Sequence, residues 1–420
     1  MIKILSNDSF NVIVATVIGT LSIFANGNDP PVLYPTDPIL PTYYETYDFY
    51  DYIGDRPGLQ LDNAWPITTG STNVTVAIVG SGIYPFVELE GRLVAGYNTI
   101  TENEDTVSLT GEDDGLAALL GANANNGKFA AGIDWNCRIM PIVVKDAARR
   151  LNTTNYSRGI DYALSHGCKI ILCAAFCGTN YPGDVLISAV SNAIAHGSIV
   201  VAGANVYDNW STNMEYPGAI HGVITARDAS YYDPFPGKTL DVSAAYPRLY
   251  NITTASARYP SGIYTNIVPD GIPMPASAAM VAGVCSLLVS VRPDLMAAQT
   301  RTLISLGAVQ PRFTKAKDFD PVTGWGFLNA YNSLILAKTR IEQFQMNKGV
   351  AECSWVSPVN ASNREPYTVE FSSSVTGGWV APDVAEYTYT TNRTFFKGTS
   401  QAFTNENLFC RLRLRDVLEP

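Results

Sequence analysis

The stretch VTVAIVG, residues 74–80, decides the fold class of this chain. It is apolar at almost every position and ends at Gly80. Three later runs have the same character: RIMPIVV at 138–144, KIILCAA at 169–175 and SIVVAG at 198–203. Uninterrupted apolar runs are typical of parallel strands, because both faces of a parallel sheet are covered by helices.

Helical patterns lie between these runs, at residues 116–124, 156–166 and 185–196. The alternation of strand and helix predicts an α/β fold with right-handed crossovers. In such folds a ligand site lies at the carboxyl ends of the strands. We therefore predict a three-layer α/β/α domain with a mostly parallel sheet over residues 58–340.

The last part of the chain has a different pattern. YTVEFSSS (367–374), AEYTYTTNRTFF (385–396) and FCRLRLRD (409–416) alternate apolar and polar residues. This period of two predicts a small antiparallel, sandwich-like β domain at 341–420.

The chain has seven cysteines, and two pairs of them are predicted to form disulfides. Cys353 and Cys410 bracket the C-terminal domain, so we expect them to pair. Cys137 and Cys168 each precede a parallel strand at the same edge of the sheet, so we expect a second pair. Neither histidines nor carboxylates accompany the remaining cysteines at metal-ligand spacing, and no metal site or cofactor is predicted.

The N-terminal sequence predicts secretion. Residues 1–27 read as a signal peptide, with Lys3 before an apolar run at 10–24. Residues 28–57 form a Pro- and Tyr-rich extension, interpreted either as an extended segment packed on the body or as a partner-binding plug. Glycosylation sequons follow the signal peptide at Asn73, Asn152, Asn155, Asn209, Asn251, Asn360 and Asn392.

Composition narrows the class of partner. The formal net charge of −10 argues against nucleic-acid binding, which requires clustered Lys and Arg. No segment after the signal peptide is long and apolar enough to span a membrane. A peptide or a protein is the expected partner.

The order of motifs resembles the subtilisin-like serine proteases, the peptidase S8 family. TGSTNVTVAIVGSGI (69–83) is similar to the strand that carries the catalytic aspartate. The helix after GEDDG (111–115) resembles the one that carries the histidine, and PASAAMVAG (275–283) resembles the one that begins at the serine. The resemblance covers about two-thirds of the chain and implies a subtilisin-like fold; it leaves room for structural calcium ions in loops.

The chain departs from the family at the catalytic positions. Gly80 stands where the aspartate is expected, Asp114 where the histidine is expected and Pro275 where the serine is expected; a second register places Pro273 there instead. A triad needs a hydroxyl, a base and a carboxylate that orients the base. The resemblance therefore implies a protease fold without a catalytic triad.

Other family positions are retained or altered. Asn205 matches the oxyanion donor. Ala174, Phe176 and Gly178 match the segment that lines the substrate groove, and Phe176 is expected to fill part of it. The sequence thus predicts a binding or structural protein, with an active protease or its substrate among the candidate partners.

Two enzymatic alternatives remain open at this point. A divergent serine endopeptidase could use a relocated nucleophile, Ser277 or Ser81, with Asp114 as its base. Glu112, Asp113 and Asp114 also invite comparison with the sedolisins, acid proteases of the same fold. An acidic first turn that stabilises a helix N-terminus is the simpler interpretation of those residues.

Overall fold

The structure is a computed structural model in full-atom detail. It describes residues 33–37, 59–108, 111–128, 131–178, 180, 182–203, 215–228, 252–254, 276–309, 325–326, 328–339, 343–347, 350–356, 367–372, 380–390, 393–399 and 409–414. Residues 1–27, the predicted signal peptide, and most of the predicted extension at 28–57 lie outside these residues.

The centre of the described fold is a parallel sheet. Its seven strands are β1 Thr75–Gly80, β2 Tyr97–Asn98, β3 Arg138–Val143, β4 Ile170–Cys173, β5 Ile199–Gly203, β6 Ile224–Asp228 and β7 Ile252–Thr254. They lie in the order β2-β3-β1-β4-β5-β6-β7, and every neighbouring pair is parallel. The four runs that the sequence singles out are β1, β3, β4 and β5, the middle of the sheet.

Helices lie on both faces of this sheet. They are α1 Leu61–Ala64, α2 Asp114–Gly121, α3 Thr153–Ser165, α4 Asp184–Ala195, α5 Ala276–Val291, α6 Ala297–Gly307 and α7 Ala330–Lys338, with a 3-10 turn at Val87–Leu89. The predicted helices at 116–124, 156–166 and 185–196 are therefore confirmed, although each begins one to three residues earlier than its apolar pattern does.

Successive residues of each central strand enter different cores. Val76 and Ile78 of β1 belong to the core beneath α2 and α5, whereas Ala77 and Val79 belong to the core beneath α3 and α4. All four side chains are fully buried. Complete burial of a Val or Ile stabilises the fold by roughly 1.5–3 kcal/mol, which is why the strand is apolar on both faces. The predicted α/β/α fold class is confirmed.

Two small antiparallel sheets follow. One holds β8 Gln343–Asn347, β9 Val350–Val356, β11 Val384–Thr390 and β12 Arg393–Thr399, in the order β11-β12-β9-β8. The other pairs β10 Tyr367–Ser372 with β13 Phe409–Leu414. The predicted antiparallel β architecture of the C-terminal region is also confirmed.

Candidate functional site

The candidate site lies at the carboxyl end of β1, where α2 begins. Asp113 is the N-cap residue of α2, but its side chain makes no capping hydrogen bond. The carboxyl group turns toward β1 instead, and its Oδ2 accepts the backbone N–H of Ser81 at 2.5 Å. The acidic first turn of α2 is thereby tied to the turn that follows β1.

Gly80 has no room for a side chain. A Cβ atom at this position would overlap Oδ2 of Asp113 and would lie 2.9 Å from its Cγ. The Asp113 side chain is only 1% exposed. The volume that a residue other than glycine would need at the end of β1 is therefore taken by a carboxyl group from α2.

Asp114 is held by the same loop. Its Oδ1 accepts the backbone N–H of Tyr84 at 2.8 Å, and the residue is 4% exposed. Burial raises the pKa of both Asp113 and Asp114 to about 6. For Asp113 the positive charge of Lys145 and the N–H and side chain of Ser81 oppose this rise, and for Asp114 the N–H of Tyr84 opposes it.

Glu112 completes the acidic turn in a different way. Its carboxylate forms ion pairs with Lys145 at 3.1 Å and with Arg149 at 2.9 Å. Lys145 follows β3, so these pairs join the start of α2 to the neighbouring strand. Glu112 therefore has a structural role, and the acidic cluster is not a set of three equivalent carboxylates.

The predicted groove residues follow β4. Ala174 is 4% exposed, and its N–H extends the ladder to β1 by donating to the carbonyl of Val79. Phe176 and Gly178 are half-buried. Gly178 has a φ of 76° and open space where a Cβ would lie. These two residues therefore form a partly accessible wall, whereas Ala174 belongs to the core.

The two candidate relocated nucleophiles are poorly placed for catalysis. Ser277, in the first turn of α5, is 3% exposed. Within the described residues, the hydroxyl groups of Ser277 and Ser81 are buried and have no hydrogen-bond partner. Ser81 donates its backbone N–H to Asp113, and its side chain also lowers the pKa of that carboxyl group, so Asp113 lies next to the Ser81 hydroxyl. Burial, rather than the lack of a nearby carboxyl group, keeps the Ser81 hydroxyl from a substrate, and the Ser277 hydroxyl is buried as well.

Asn205, Pro275 and Pro273 lie outside the described residues. Their identities are known from the sequence, and a proline at either alignment position offers no nucleophilic atom. Asn205 as an oxyanion-type donor stays a prediction.

The three histidines stand away from α2. His166 and His196 follow the last residues of α3 and α4, and the Nδ1 atom of each lies within 2.9 Å of a backbone carbonyl in the preceding turn. Gly167 and Gly197 follow them with positive φ angles. The dipeptides His166-Gly167 and His196-Gly197 each end a helix, as the sequence predicts. His221 is exposed and precedes β6.

No disulfide bond joins any of the seven cysteines in the structure. Cys137 lies in the core beneath α2 and α5, whereas Cys168 lies in the core beneath α3 and α4, where its Sγ contacts the sulfur of Met140. The sheet separates them, which argues against the predicted Cys137–Cys168 pairing. Cys353 and Cys410 are both 4% exposed in the C-terminal region.

Another buried carboxyl group, Asp134, does not follow from the sequence pattern. Asp134 is fully buried and accepts hydrogen bonds from Oγ of Ser286 at 2.5 Å and from the N–H groups of Asn136 and Cys137 at 2.8 and 2.7 Å. Burial raises its pKa to about 6, against the opposing effect of these donors. It joins the loop before β3 to α5, so its role is structural.

Metal and membrane features are not found in the described part of the chain. No group of three or more His, Cys, Asp or Glu residues there could hold a metal ion. None of the helices described combines the length and apolar character that crossing a bilayer requires. Of the predicted glycosylation sites that the structure describes, Asn73 and Asn152 are exposed and Asn155 is half-buried.

Comparison with known proteins agrees with this architecture. Residues 71–260 match the family model Peptidase_S8, described as the subtilase family. The thermophilic serine proteinase of Bacillus sp. (strain AK1) is 27% identical over 193 residues, which are 46% of this chain and 46% of that protein. The minor extracellular protease Epr of Bacillus subtilis (strain 168) is 24% identical over 180 residues, 43% of this chain and 27% of that protein.

The chain thus spans less than half the length of these two curated relatives. Among solved structures, a protease from Pseudoalteromonas arctica superposes with a TM-score of 0.55 at 21% identity, covering 72% of this chain and 99% of that one. At this identity the superposition shows the fold alone. The family-model match, the relatives and the shared fold agree, and the domain that carries Gly80, Asp113 and Asp114 has a subtilisin-like fold and is similar in sequence to the subtilase family over residues 71–260.

Proposed function

We propose that this chain is a catalytically inactive subtilisin-like protein that binds a peptide or a protein. In this proposal residues 1–27 are a signal peptide and 28–57 an extension. Residues 58–340 form the subtilisin-like domain and 341–420 a β-sandwich module. The binding surface is the groove at the carboxyl ends of β1 and β4.

One observation carries the proposal. The family's catalytic aspartate corresponds to Gly80, and the carboxyl group of Asp113 occupies the space that a side chain on Gly80 would need. An aspartate side chain at position 80 would therefore have no space, because the Asp113 carboxyl group lies there and accepts a hydrogen bond from the N–H of Ser81.

The remaining positions give no other route to acyl transfer. Asp114 could accept a proton, but its described hydrogen bond is to the N–H of Tyr84, which orients no nucleophile. Pro275 supplies no hydroxyl. In subtilisin itself, removal of the triad lowers kcat by about 10⁶. Any residual cleavage would be too slow to be the function.

The groove keeps features that suit an extended peptide. The backbone of β4 continues past Cys173 along β1, as the bond from Ala174 to Val79 shows. Phe176 and Gly178 follow it with partly accessible surface. An extended segment can bind to such backbone by strand addition, with affinity from main-chain hydrogen bonds and specificity from nearby side chains. A substrate of an active protease, or that protease itself, is a fitting partner.

Secretion and glycosylation belong to the proposal as well. The relatives named above include an extracellular protease of Bacillus subtilis. The sequence carries an apolar N-terminal run and several sequons. The exposure of Asn73 and Asn152 is what a glycan-bearing site requires.

A divergent serine endopeptidase is the second candidate. It is favoured by the names of the relatives, which are proteases. It requires Ser277 or Ser81 to be activated by a base, and in the described residues both hydroxyls are buried without a hydrogen-bond partner. We therefore place it behind the binding function.

A peptide-pool experiment separates the two candidates. The secreted, glycosylated protein is incubated with proteome-derived peptides at about pH 4 and about pH 7.5, on either side of the pKa values of Asp113 and Asp114. Mass spectrometry then reads new termini and retained peptides. Retention without new termini is expected.

The controls are Ser277→Ala and Ser81→Ala. New termini that disappear in either variant would replace the binding function with the endopeptidase. If the protein neither retains nor cleaves any peptide, that result would contradict the proposed peptide binding in the groove.

A further inference from the structure

The C-terminal β strands bring Cys353 and Cys410 to one interface, independently of the groove. In the antiparallel pair β9–β12, Cys353 is opposite Phe396, and in the pair β10–β13, Cys410 is opposite Phe371. Residues directly opposite each other in an antiparallel pair point to the same face of the sheet. Each cysteine therefore shares the inward face of its own sheet with a phenylalanine.

The two phenylalanines, Phe371 and Phe396, show where the two sheets pack against each other. Their ring centroids are 6.0 Å apart, so the two inward faces are packed together at this level. Both rings and both cysteines are at least 96% buried and belong to one core cluster. The cysteines thus lie in the same layer of the sandwich, on opposite sides of the interface.

The thiols also interact with each other. Burial raises the pKa of Cys410 well above its ordinary value, and the hydrogen bond and charge of Cys353 raise it further. Such an effect requires the two sulfur atoms to be neighbours. Trp355, two residues after Cys353 on the same strand, is fully buried beside them.

We infer that Cys353 and Cys410 form a disulfide that closes the C-terminal sandwich, and that Cys137 and Cys168 remain thiols. A bond between facing sheets beside a buried tryptophan is a known way of locking a β-sandwich. Here it would join the sheet of β8, β9, β11 and β12 to the two-stranded sheet of β10 and β13. The positions of the cysteines in the sequence suggest both the Cys353–Cys410 and the Cys137–Cys168 pair. In the structure only the first pair shares a core, because the parallel sheet separates Cys137 from Cys168.

The reaction is a thiol–disulfide exchange with an external disulfide. One cysteine thiolate attacks that disulfide, forms a mixed disulfide and releases one thiol. The second cysteine thiolate then displaces the other thiol and forms the Cys353–Cys410 bond. The pair loses two electrons and two protons, and the external disulfide gains them as two thiols.

Burial determines when this can occur. Thiolate is the attacking form, and it is scarce when the pKa of a buried thiol is raised. The bond therefore forms during folding, before the sheets close. In the folded protein the same burial protects the bond from reductants.

The test is disulfide mapping of the full chain secreted from a eukaryotic host. The protein is denatured, alkylated without reduction, digested and analysed by mass spectrometry. We expect a linked pair of peptides carrying Cys353 and Cys410, two hydrogen atoms lighter than the sum of the free peptides. Alkylated Cys137 and Cys168 are expected in the same digest. Alkylation of Cys353 or Cys410 before reduction, or their linkage to other cysteines, would overturn the inference.

A stability measurement provides an independent readout. Wild type should lose thermal stability when it is reduced under denaturing conditions and refolded in reductant. The double variant Cys353→Ser, Cys410→Ser should melt at the lower temperature with or without reductant. Cys285→Ser is the matched control, since Cys285 is a buried thiol in α5, and it should keep the response to reductant. An equal response in wild type and the double variant would contradict the bond.

Discussion

At the residue scale, the main finding is that the Asp113 carboxyl group occupies the volume in which a side chain at position 80 would lie. Glycine at the end of β1 removes a side chain, and the carboxyl group of Asp113 fills the volume and accepts the N–H of Ser81. Gly80 therefore cannot be replaced by aspartate without a steric conflict unless Asp113 is changed as well.

This coupling can be measured with Gly80→Asp. The new side chain would meet the Asp113 carboxyl group, so overpacking and like-charge repulsion should lower the free energy of unfolding by about 3 kcal/mol. Urea denaturation measures the change. Asp113→Ala in the same chain should relieve most of the added cost, whereas additive effects in the double-mutant cycle would show that the two residues do not compete.

The sequence could predict only part of this site. Gly80 and Asp114 follow from the motif pattern, because each stands at a fixed distance from a recognisable strand or helix. The position of Asp113 does not follow, since it depends on a side chain turning away from its helix cap to reach another strand. The doublet Asp113-Asp114 was the only signal, and it favours an ordinary acidic helix start.

At the scale of elements, helix α5 contains two buried serines with opposite surroundings. Ser286 donates to Asp134 at 2.5 Å, whereas the hydroxyl of Ser277 has no hydrogen-bond partner in the described residues. Removal of a donor to a buried carboxyl group costs about 1–3 kcal/mol, and removal of an unpaired buried hydroxyl costs little.

Ser286→Ala should therefore destabilise the protein by about 2 kcal/mol, and Ser277→Ala should be neutral or slightly stabilising. Chemical denaturation of the two variants provides the measurement, each serving as the control of the other. Equal losses would mean that the Asp134 hydrogen bond contributes nothing specific.

Helix α3 has a testable N-terminus. Oδ1 of Asn152 accepts the N–H of Thr154 at 2.7 Å and of Asn155 at 3.4 Å. A glycan would be attached to the amide nitrogen of Asn152 and would leave this oxygen free to cap the helix. Asn155 is half-buried in the first turn.

We expect glycan at Asn152 and little or none at Asn155. Mass spectrometry of peptides after enzymatic deglycosylation measures the occupancy of each. Asn152→Ala should lower stability by about 1 kcal/mol even in glycan-free protein, because the cap is lost. Thr154→Ala is the control, since it removes the sequon at Asn152 and keeps the cap. No difference in stability between the two variants would contradict the capping role.

At the scale of the whole molecule, the fold was more predictable than the contacts within it. Both faces of β1, β3, β4 and β5 are buried, and each strand is therefore an uninterrupted apolar run in the sequence. The predicted pairing of Cys137 with Cys168 rests on their spacing along the chain, and spacing does not specify which face of the sheet each side chain enters. Local pattern predicts elements, and long-range packing decides which residues meet.

Buried carboxyl groups with raised pKa values predict how the stability of the whole molecule depends on pH; burial also raises the pKa of Glu88, and the largest shifts belong to three aspartates. Burial raises the pKa of Asp113, Asp114 and Asp134 to about 6 from an ordinary value of 3.8. The folded state therefore binds more protons than the unfolded chain between these values, and stability falls as pH rises from about 4 to 6.

The free energy of unfolding, measured by denaturant titration from about pH 4 to about pH 7.5, should decrease with pH by on the order of a few kcal/mol, and the denaturant midpoint should fall with it. Asp113→Asn should flatten this dependence, because the amide does not titrate. A midpoint that rises over the same interval would show that these carboxyl groups are stabilised as anions.

The absence of a nucleophile is the central claim, and a fluorophosphonate probe tests it most directly. The full chain is incubated with the probe beside an active subtilisin-like protease, and intact mass is measured for both. We predict an adduct on the active protease and none on this chain, because Pro275 offers no hydroxyl and the hydroxyls of Ser277 and Ser81 are buried without a hydrogen-bond partner. A stoichiometric adduct mapped to Ser277, Ser81 or any other serine would contradict the account and make this chain an active hydrolase.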